Sequence, residues 1–219
     1  MFNSTSFSNK DLKIKLPSGV MISGATSSGK TSLLMRIIQF NQELFEPPPQ
    51  QILYCYGQIG AHVYMLQAAG IECWEGLPPN EKLENANKPL LLIFDDLMSV
   101  VSEKYISDIF TKRSHHQNIG VIFITQNLFD RNIRVARNNA QYMILTRSLN
   151  SMQSIRNIGQ QLFPRRLDYF LSAYSDATKD PYGYLFIDLH AASSPILHLR
   201  TDIFPDDKHK TIFIPKNAA

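Results

Sequence analysis

The sequence predicts an α/β fold: a mostly parallel sheet flanked by helices, with a C-terminal antiparallel hairpin extending it. Three observations carry this expectation. Four or five short runs are apolar at every position rather than alternating, which requires burial on both faces of a sheet. Longer stretches with helical spacing separate these runs, as a layered α/β arrangement demands. The last two runs, "YGYLFIDLH" and "PILHLRTDIF", are joined only by "AASS", which is too short for a crossover helix and suits a hairpin on one sheet edge.

Taken in order, "GVMIS" (19–23) is the first buried strand, and "GATSSGKT" (24–31) follows at once. The pattern G-x-x-x-x-G-K-[ST] is met by Gly24, Gly29, Lys30 and Thr31. A strand leads in and a helix leads out, which is the context in which backbone N–H groups at a helix N-terminus wrap phosphates. The nucleotide-binding candidates are therefore Gly24, Ala25, Thr26, Ser27, Ser28, Gly29, Lys30, Thr31 and Ser32. Lys30 is placed to reach the β- and γ-phosphates of ATP, and the Thr31 hydroxyl to ligate Mg²⁺. The helix after the loop has apolar residues at Leu33, Leu34, Ile37, Ile38 and Phe45, and "PPP" at 47–49 is expected to stop it.

"QILYCY" (51–56) and "IECW" (71–74) read as the next strands; Cys55 and Cys73 within them read as reduced thiols filling core positions. "PPNEKLENANKP" (78–89) is the one candidate for a mobile loop. "LLLIFDDL" then ends a buried strand in two carboxylates. Such a pair is costly to bury without a cation. Asp95 is the expected Mg²⁺ aspartate and Asp96 the acid that orients or deprotonates an attacking water. "SVVSEKYISDIFTK" (99–112) has the spacing of an amphipathic helix. "GVIFIT" (120–125) is a strand whose exit carries Gln126 and Asn127; if it lies between the loop strand and the Asp95 strand, Gln126 enters the same crevice. "QYMILT" (141–146) is a further strand, and "SMQSIRNIGQQLF" and "RRLDYFLSAYSDAT" are helices.

One domain is the economical reading at 219 residues: a tail and lead-in strand over 1–18, an ATPase domain over 19–205 and a C-terminal tail over 206–219. No segment has the ~18–20 unbroken apolar residues of a membrane span, and the N-terminus lacks the apolar core of a secretion signal, so an intracellular location is expected. The net charge of +3 hides a concentration. Residues 112–167 carry nine Lys/Arg against the single Asp130, whereas residues 37–111 carry ten acids against three bases. A basic stretch is either a solvated face or a surface for phosphate, including nucleic acid. No guanine motif supports GTP specificity, since Asn87-Lys88 is followed by Leu90 where an Asp is needed, and His115-His116 has no third ligand at zinc-like spacing.

"GATSSGKTSLL", "LLLIFDDL", "FTKRSHHQNIGVIFITQNLF" and "PYGYLFIDL…LRTDIFP" together resemble the genome-packaging ATPases of the FtsK/HerA superfamily, of the poxvirus type, and most nearly those of Maverick/Polinton elements, adintoviruses and virophages. The resemblance runs from about Val20 to Pro205. It implies a RecA-like P-loop core and a homo-oligomeric ring, typically a hexamer. Such a ring hydrolyses ATP to drive double-stranded DNA into a capsid, docked at its portal vertex, in the host cytoplasm or nucleus. Lys30 and Thr31 then become the phosphate-loop pair, Asp95 the magnesium aspartate, Asp96 the water-activating acid and Gln126 the polar sensor. An arginine from the next subunit completes each such site, and Arg113, Arg134 and Arg147 are the candidates. The family commonly has Gly where Arg113 stands and Pro-Arg-Asp near "TRSLN", so this chain departs from it at both places. DNA contacts are expected among Lys112, Arg113, Arg131, Arg134 and Arg137. A small-molecule kinase, or a domesticated copy that binds nucleotide or DNA without hydrolysis, is the alternative reading.

Overall fold

The computed structural model describes residues 9–215, so the outermost parts of both expected tails lie outside it. The core is a nine-stranded sheet. In chain order its strands are β2 (Gly19–Ser23), β4 (Gln51–Tyr56), β5 (Glu72–Glu75), β6 (Leu90–Asp95), β7 (Ile119–Thr125), β8 (Tyr142–Thr146), β9 (Tyr184–Asp188), β10 (Leu199–Thr201) and β11 (Thr211–Ile212). Their spatial order is β11-β10-β9-β8-β2-β7-β6-β4-β5. The six from β8 to β5 are parallel, and β9, β10 and β11 add antiparallel to one edge. A separate parallel pair joins β1 (Ile14–Lys15) to β3 (Phe45–Glu46).

Helices cover both faces because the strands are apolar on both. Val20 and Ile22 of β2, with Ile122 and Ile124 of β7, face one layer, packed with Leu33, Leu34, Ile37 and Ile38 of α1 (Lys30–Gln39) and Val63 and Leu66 of α3 (Ala61–Ala68). Met21, Val121 and Phe123 face the other. They pack with residues of α4 (Asn80–Glu84), α5 (Glu103–Asp108), α7 (Arg134–Asn139), α8 (Met152–Leu162) and α9 (Leu167–Ala177). Burying this much apolar area, at roughly 25 cal/mol per Å², is the main favourable term in the fold.

Several expected boundaries move, each for a local reason. The helix after the phosphate loop breaks at Phe40, where the Asn41 side chain donates to the Ile38 carbonyl (2.6 Å). A single turn, α2 (Asn41–Leu44), follows, and Phe45 leaves the helix to sit fully buried in β3. The expected helix over 99–112 starts later, at Glu103. The Ser102 hydroxyl accepts from the Tyr105 N–H as its N-cap, the helix then widens into a π-turn over Ile109–Arg113, and α6 (Ser114–His116) closes it. The stretch 78–89 is no loose loop: it holds α4, pinned by the buried Leu83. Helix α3 is a further element; its apolar residues lack a clear 3.6 period because Tyr64 and Met65 lie exposed.

The antiparallel edge is locked by a buried ion pair. Arg200 on β10 donates to the Asp188 carboxylate of β9 at 2.9 Å and to the Leu12 carbonyl at 3.1 Å, and both side chains are almost wholly buried. The other Asp188 oxygen accepts from the His190 N–H (3.1 Å). Removing one partner strands the other charge in the core. Asp188→Ala is therefore expected to lose about 3–5 kcal/mol of stability, read as a shift of the urea unfolding midpoint.

Candidate functional site

Strand order gathers the polar residues of the chain at one edge. Strand β7 lies between β2 and β6, so the carboxyl ends of all three, Ser23, Thr125 and Asp95, open into a common crevice. A cavity of about 560 Å³ occupies it, lined among others by Thr26, Lys30, Thr31, Asp95, Asp96 and Gln126. Lys30, Thr31, Asp95, Asp96 and Gln126, expected from the sequence to share one site, all border this cavity.

The loop is held on the sheet by hydroxyls. Thr146, at the end of β8, donates to the Ser23 carbonyl (3.3 Å) and so accepts from the Ser28 hydroxyl (2.6 Å). That contact explains Gly24: a Cβ there would stand 1.8 Å from the Thr146 Oγ1. Gly29 is required by its backbone, with φ +92° at the N-cap of α1. Lys30 begins the helix and folds back so that its ammonium donates to the Gly24 and Ala25 carbonyls, at 2.8 and 2.6 Å. Half-burial lowers the Lys30 pKa, and the negative charge of Asp95 opposes the shift. The Thr26 hydroxyl donates to the Gln126 Oε1 (3.0 Å), which ties the loop to the exit of β7.

Asp95 receives a partner that sequence reasoning missed. The buried Tyr54 of β4 donates its hydroxyl to Asp95 Oδ2 at 2.6 Å, and His62 Nε2 of α3 lies 3.9 Å from the same oxygen. Burial and the adjacent carboxylate push the Tyr54 hydroxyl pKa far upward, so it stays a donor at every physiological pH. In the run "ILYCY" a tyrosine reads as core filler; the pairing of β4 with β6 brings its hydroxyl to Asp95. Asp96 adopts φ +54°, an uncommon region for a residue with a side chain, at the turn that follows β6. The oxygen donors of Thr31 and Asp95 suit a hard divalent cation, so the residues present fit Mg²⁺ beside a triphosphate.

The arginines are dispersed. Arg113 is drawn onto Asp108 (2.7 Å), away from the cavity, and its Nη1 is buried without a partner among the described residues. Arg137 donates to the Leu128 carbonyl (2.8 Å) and lies over the Phe129 ring. Arg147 is exposed on the opposite side of the phosphate loop, at a second cavity. Lys112 and Arg131 are exposed, as is Arg134, which is 3.8 Å from Glu103.

No family model and no curated protein matches the sequence. Solved structures match in fold, which is that of a P-loop NTPase. The genome-packaging NTPase B204 of Sulfolobus turreted icosahedral virus 2, in complex with ATP-gammaS, has a TM-score of 0.54 at 16% identity. The match covers 91% of this chain and 98% of that one. Its sulfate complex matches with the same TM-score at 15% identity, over 83% and 98%. The DNA-packaging ATPase B204 of Sulfolobus turreted icosahedral virus matches with a TM-score of 0.54 at 15% identity, over 91% and 98%. The fold is thus shared almost end to end with viral packaging ATPases, at a sequence identity that leaves the chemistry to be argued from the residues.

The loop anchor gives a direct test. Gly24→Ala should cost about 1–3 kcal/mol through overpacking against Thr146 and weaken binding of ATP. Adding Thr146→Ala should restore part of the stability, as measured by thermal unfolding.

Proposed function

We propose that this chain is an ATPase that drives double-stranded DNA into a viral capsid as a homo-oligomeric ring, hexameric by resemblance to its family and docked at the capsid portal vertex inside the host cell. The observation that carries the reading is the meeting of the phosphate loop, the Asp95–Asp96 pair and Gln126 around one cavity, in a fold shared with a packaging ATPase. Among the described residues, no helix is long and apolar enough to cross a membrane.

Each residue has a role that its position supports. Lys30 places positive charge on the terminal phosphates, whose binding draws it from the Gly24 and Ala25 carbonyls. Thr31 and Asp95 would hold Mg²⁺, which when bound neutralises charge gathering on the β- and γ-phosphate oxygens. Tyr54 holds one oxygen of the Asp95 carboxylate, which would leave the other free for the cation. Asp96 accepts a proton from the water that attacks the γ-phosphorus, and Gln126 orients that water while its link to Thr26 reports phosphate occupancy to β7. Arg113 is committed to Asp108, leaving Arg134 and Arg147 with guanidinium groups exposed for a neighbouring subunit's site.

A motor that moves any sequence must hold phosphates rather than read bases. Among the exposed cations of the basic stretch, Lys112, Arg131 and Arg134 lie on elements that contact one another.

Phosphate release from ATP should rise with double-stranded DNA, and Asp96→Asn should lower it about 10²–10⁴-fold while leaving ATP binding intact; release indifferent to both, or transfer to a small acceptor, would sink the reading. Tyr54→Phe should raise the Mg²⁺ concentration for half-maximal activity about ten-fold, within the range of losses from removing a group that orients a metal ligand. Replacing Lys112, Arg131 and Arg134 together with Gln should flatten the slope of log affinity for DNA against log salt, by roughly 0.9 for each phosphate that is no longer neutralised.

A further inference from the structure

A second cavity, of about 440 Å³, lies on the other side of the phosphate loop from Asp95 and Asp96. Thr26 and Ser27 border both cavities, so the loop separates them as a shared wall. Beyond the loop it is lined by Arg147, Leu149, Asn150, Pro181 and Tyr182, and both Leu149 and Tyr182 are largely exposed, at 74% and 69%. Two large apolar side chains are thus left mostly open beside the phosphate-binding loop.

The backbone of Tyr182 sharpens the point. Residues 180–183 form a tight turn closed by the Gly183 N–H donating to the Asp180 carbonyl (3.1 Å), with Pro181 second and Tyr182 third. Tyr182 has φ +64°, and the third position of such a turn ordinarily takes Gly or Asn because a Cβ is disfavoured there. The turn tolerates this strain to hold an aromatic ring against Gly29, where an added Cβ would meet the ring at 2.9 Å. The ring thus stands over the start of α1, where the loop's phosphate-binding groups converge.

We propose that Tyr182, with Leu149 bordering the same cavity, is the platform on which the nucleobase of the bound nucleoside triphosphate stacks. The inference rests on the nucleotide-binding reading of the loop. A triphosphate whose γ end faces Asp95 and Asp96 leaves its other end on the far side of the same loop, where this cavity opens. A flat aromatic base suits a wall that includes a phenol ring, a leucine and a proline beside the Arg147 and Asn150 side chains, because stacking needs only a π-face and exposed apolar surface.

Tyr182→Gly tests this without breaking the turn, since Gly is the residue its φ favours. It should raise the KM for ATP about ten-fold, within what the removal of one base–aromatic stack allows, with kcat little changed and with a melting temperature equal to or above that of the parent chain. Tyr182→Phe should keep the parent KM. Inorganic tripolyphosphate, which has no base, should inhibit the parent chain and Tyr182→Gly equally. A parent-like KM in Tyr182→Gly, or an equal weakening of tripolyphosphate, overturns the platform. Failure of the parent chain to bind either ATP or tripolyphosphate overturns instead the nucleotide reading on which it rests.

Discussion

Burial on both faces of five of the six parallel strands, all but the edge strand β5, is the constraint on which the rest of this structure depends. When side chains on either side of a strand are covered by helices, a strand can carry polar chemistry only where it ends. Ser23, Asp95, Thr125 and Thr146 are the last residues of β2, β6, β7 and β8, and each is polar after a run of apolar neighbours. The site is therefore a by-product of how the core is closed. Once the sheet order sets β7 between β2 and β6, the hydroxyls that seat the phosphate loop and the carboxylates that face it share one edge.

This explains why so much of the site is legible in the chain alone. A loop with fixed glycines after one apolar run, two acids after another and an amide after a third are all signals written along the sequence. The hairpin at the C-terminal edge and the strand limits are legible for the same reason: 19–23 and 51–56 coincide with β2 and β4. What escapes is what depends on lateral neighbours. Tyr54 is an ordinary core residue by sequence, and only the pairing of β4 with β6 gives its hydroxyl to Asp95. Thr146 is likewise the polar end of a strand until β8 is seen beside β2, where it explains Gly24 more directly than any loop conformation does. Charge counting fails in a similar way. The segment 112–167 is basic in sum, yet Arg113 and Arg137 turn inward to Asp108 and to the Leu128 carbonyl with Phe129.

Backbone strain marks the same region independently of residue chemistry. Five residues other than glycine have positive φ among those described, and three of them, Ser27, Asp96 and Tyr182, border one or other of the two cavities that share the phosphate loop. Asp tolerates this region through its short polar side chain; Tyr has no such excuse. Strain of this kind persists where surrounding contacts over-determine the conformation. Around Asp96 the ordered strand β6 and the Gly57 N–H bonded to the Asp95 carbonyl (3.0 Å) provide them, and around Tyr182 the turn bond to Asp180 does.

On the proposed function, the exit of β7 is the natural place for a change at the nucleotide to leave the site. Gln126 is tied to the loop through Thr26, and the Thr125 hydroxyl accepts from the Asn127 N–H (3.0 Å), which makes the first turn after the strand rigid. Asp130 still borders the cavity beside Asp95 and Gln126, but its carboxylate also caps the next short helix by accepting from the Asn132 N–H (2.8 Å). Arg131 follows directly, and Arg134 opens α7 three residues later. Within nine residues the chain thus passes from Gln126, bonded to the loop, to Arg131 and Arg134, two exposed cations of its basic stretch, through a segment braced at both ends by side chain–backbone bonds. On the proposed function, this short braced segment is the path by which a displacement of Gln126 would reach Arg131, and an element of that kind is what coupling between a phosphate site and a basic surface requires.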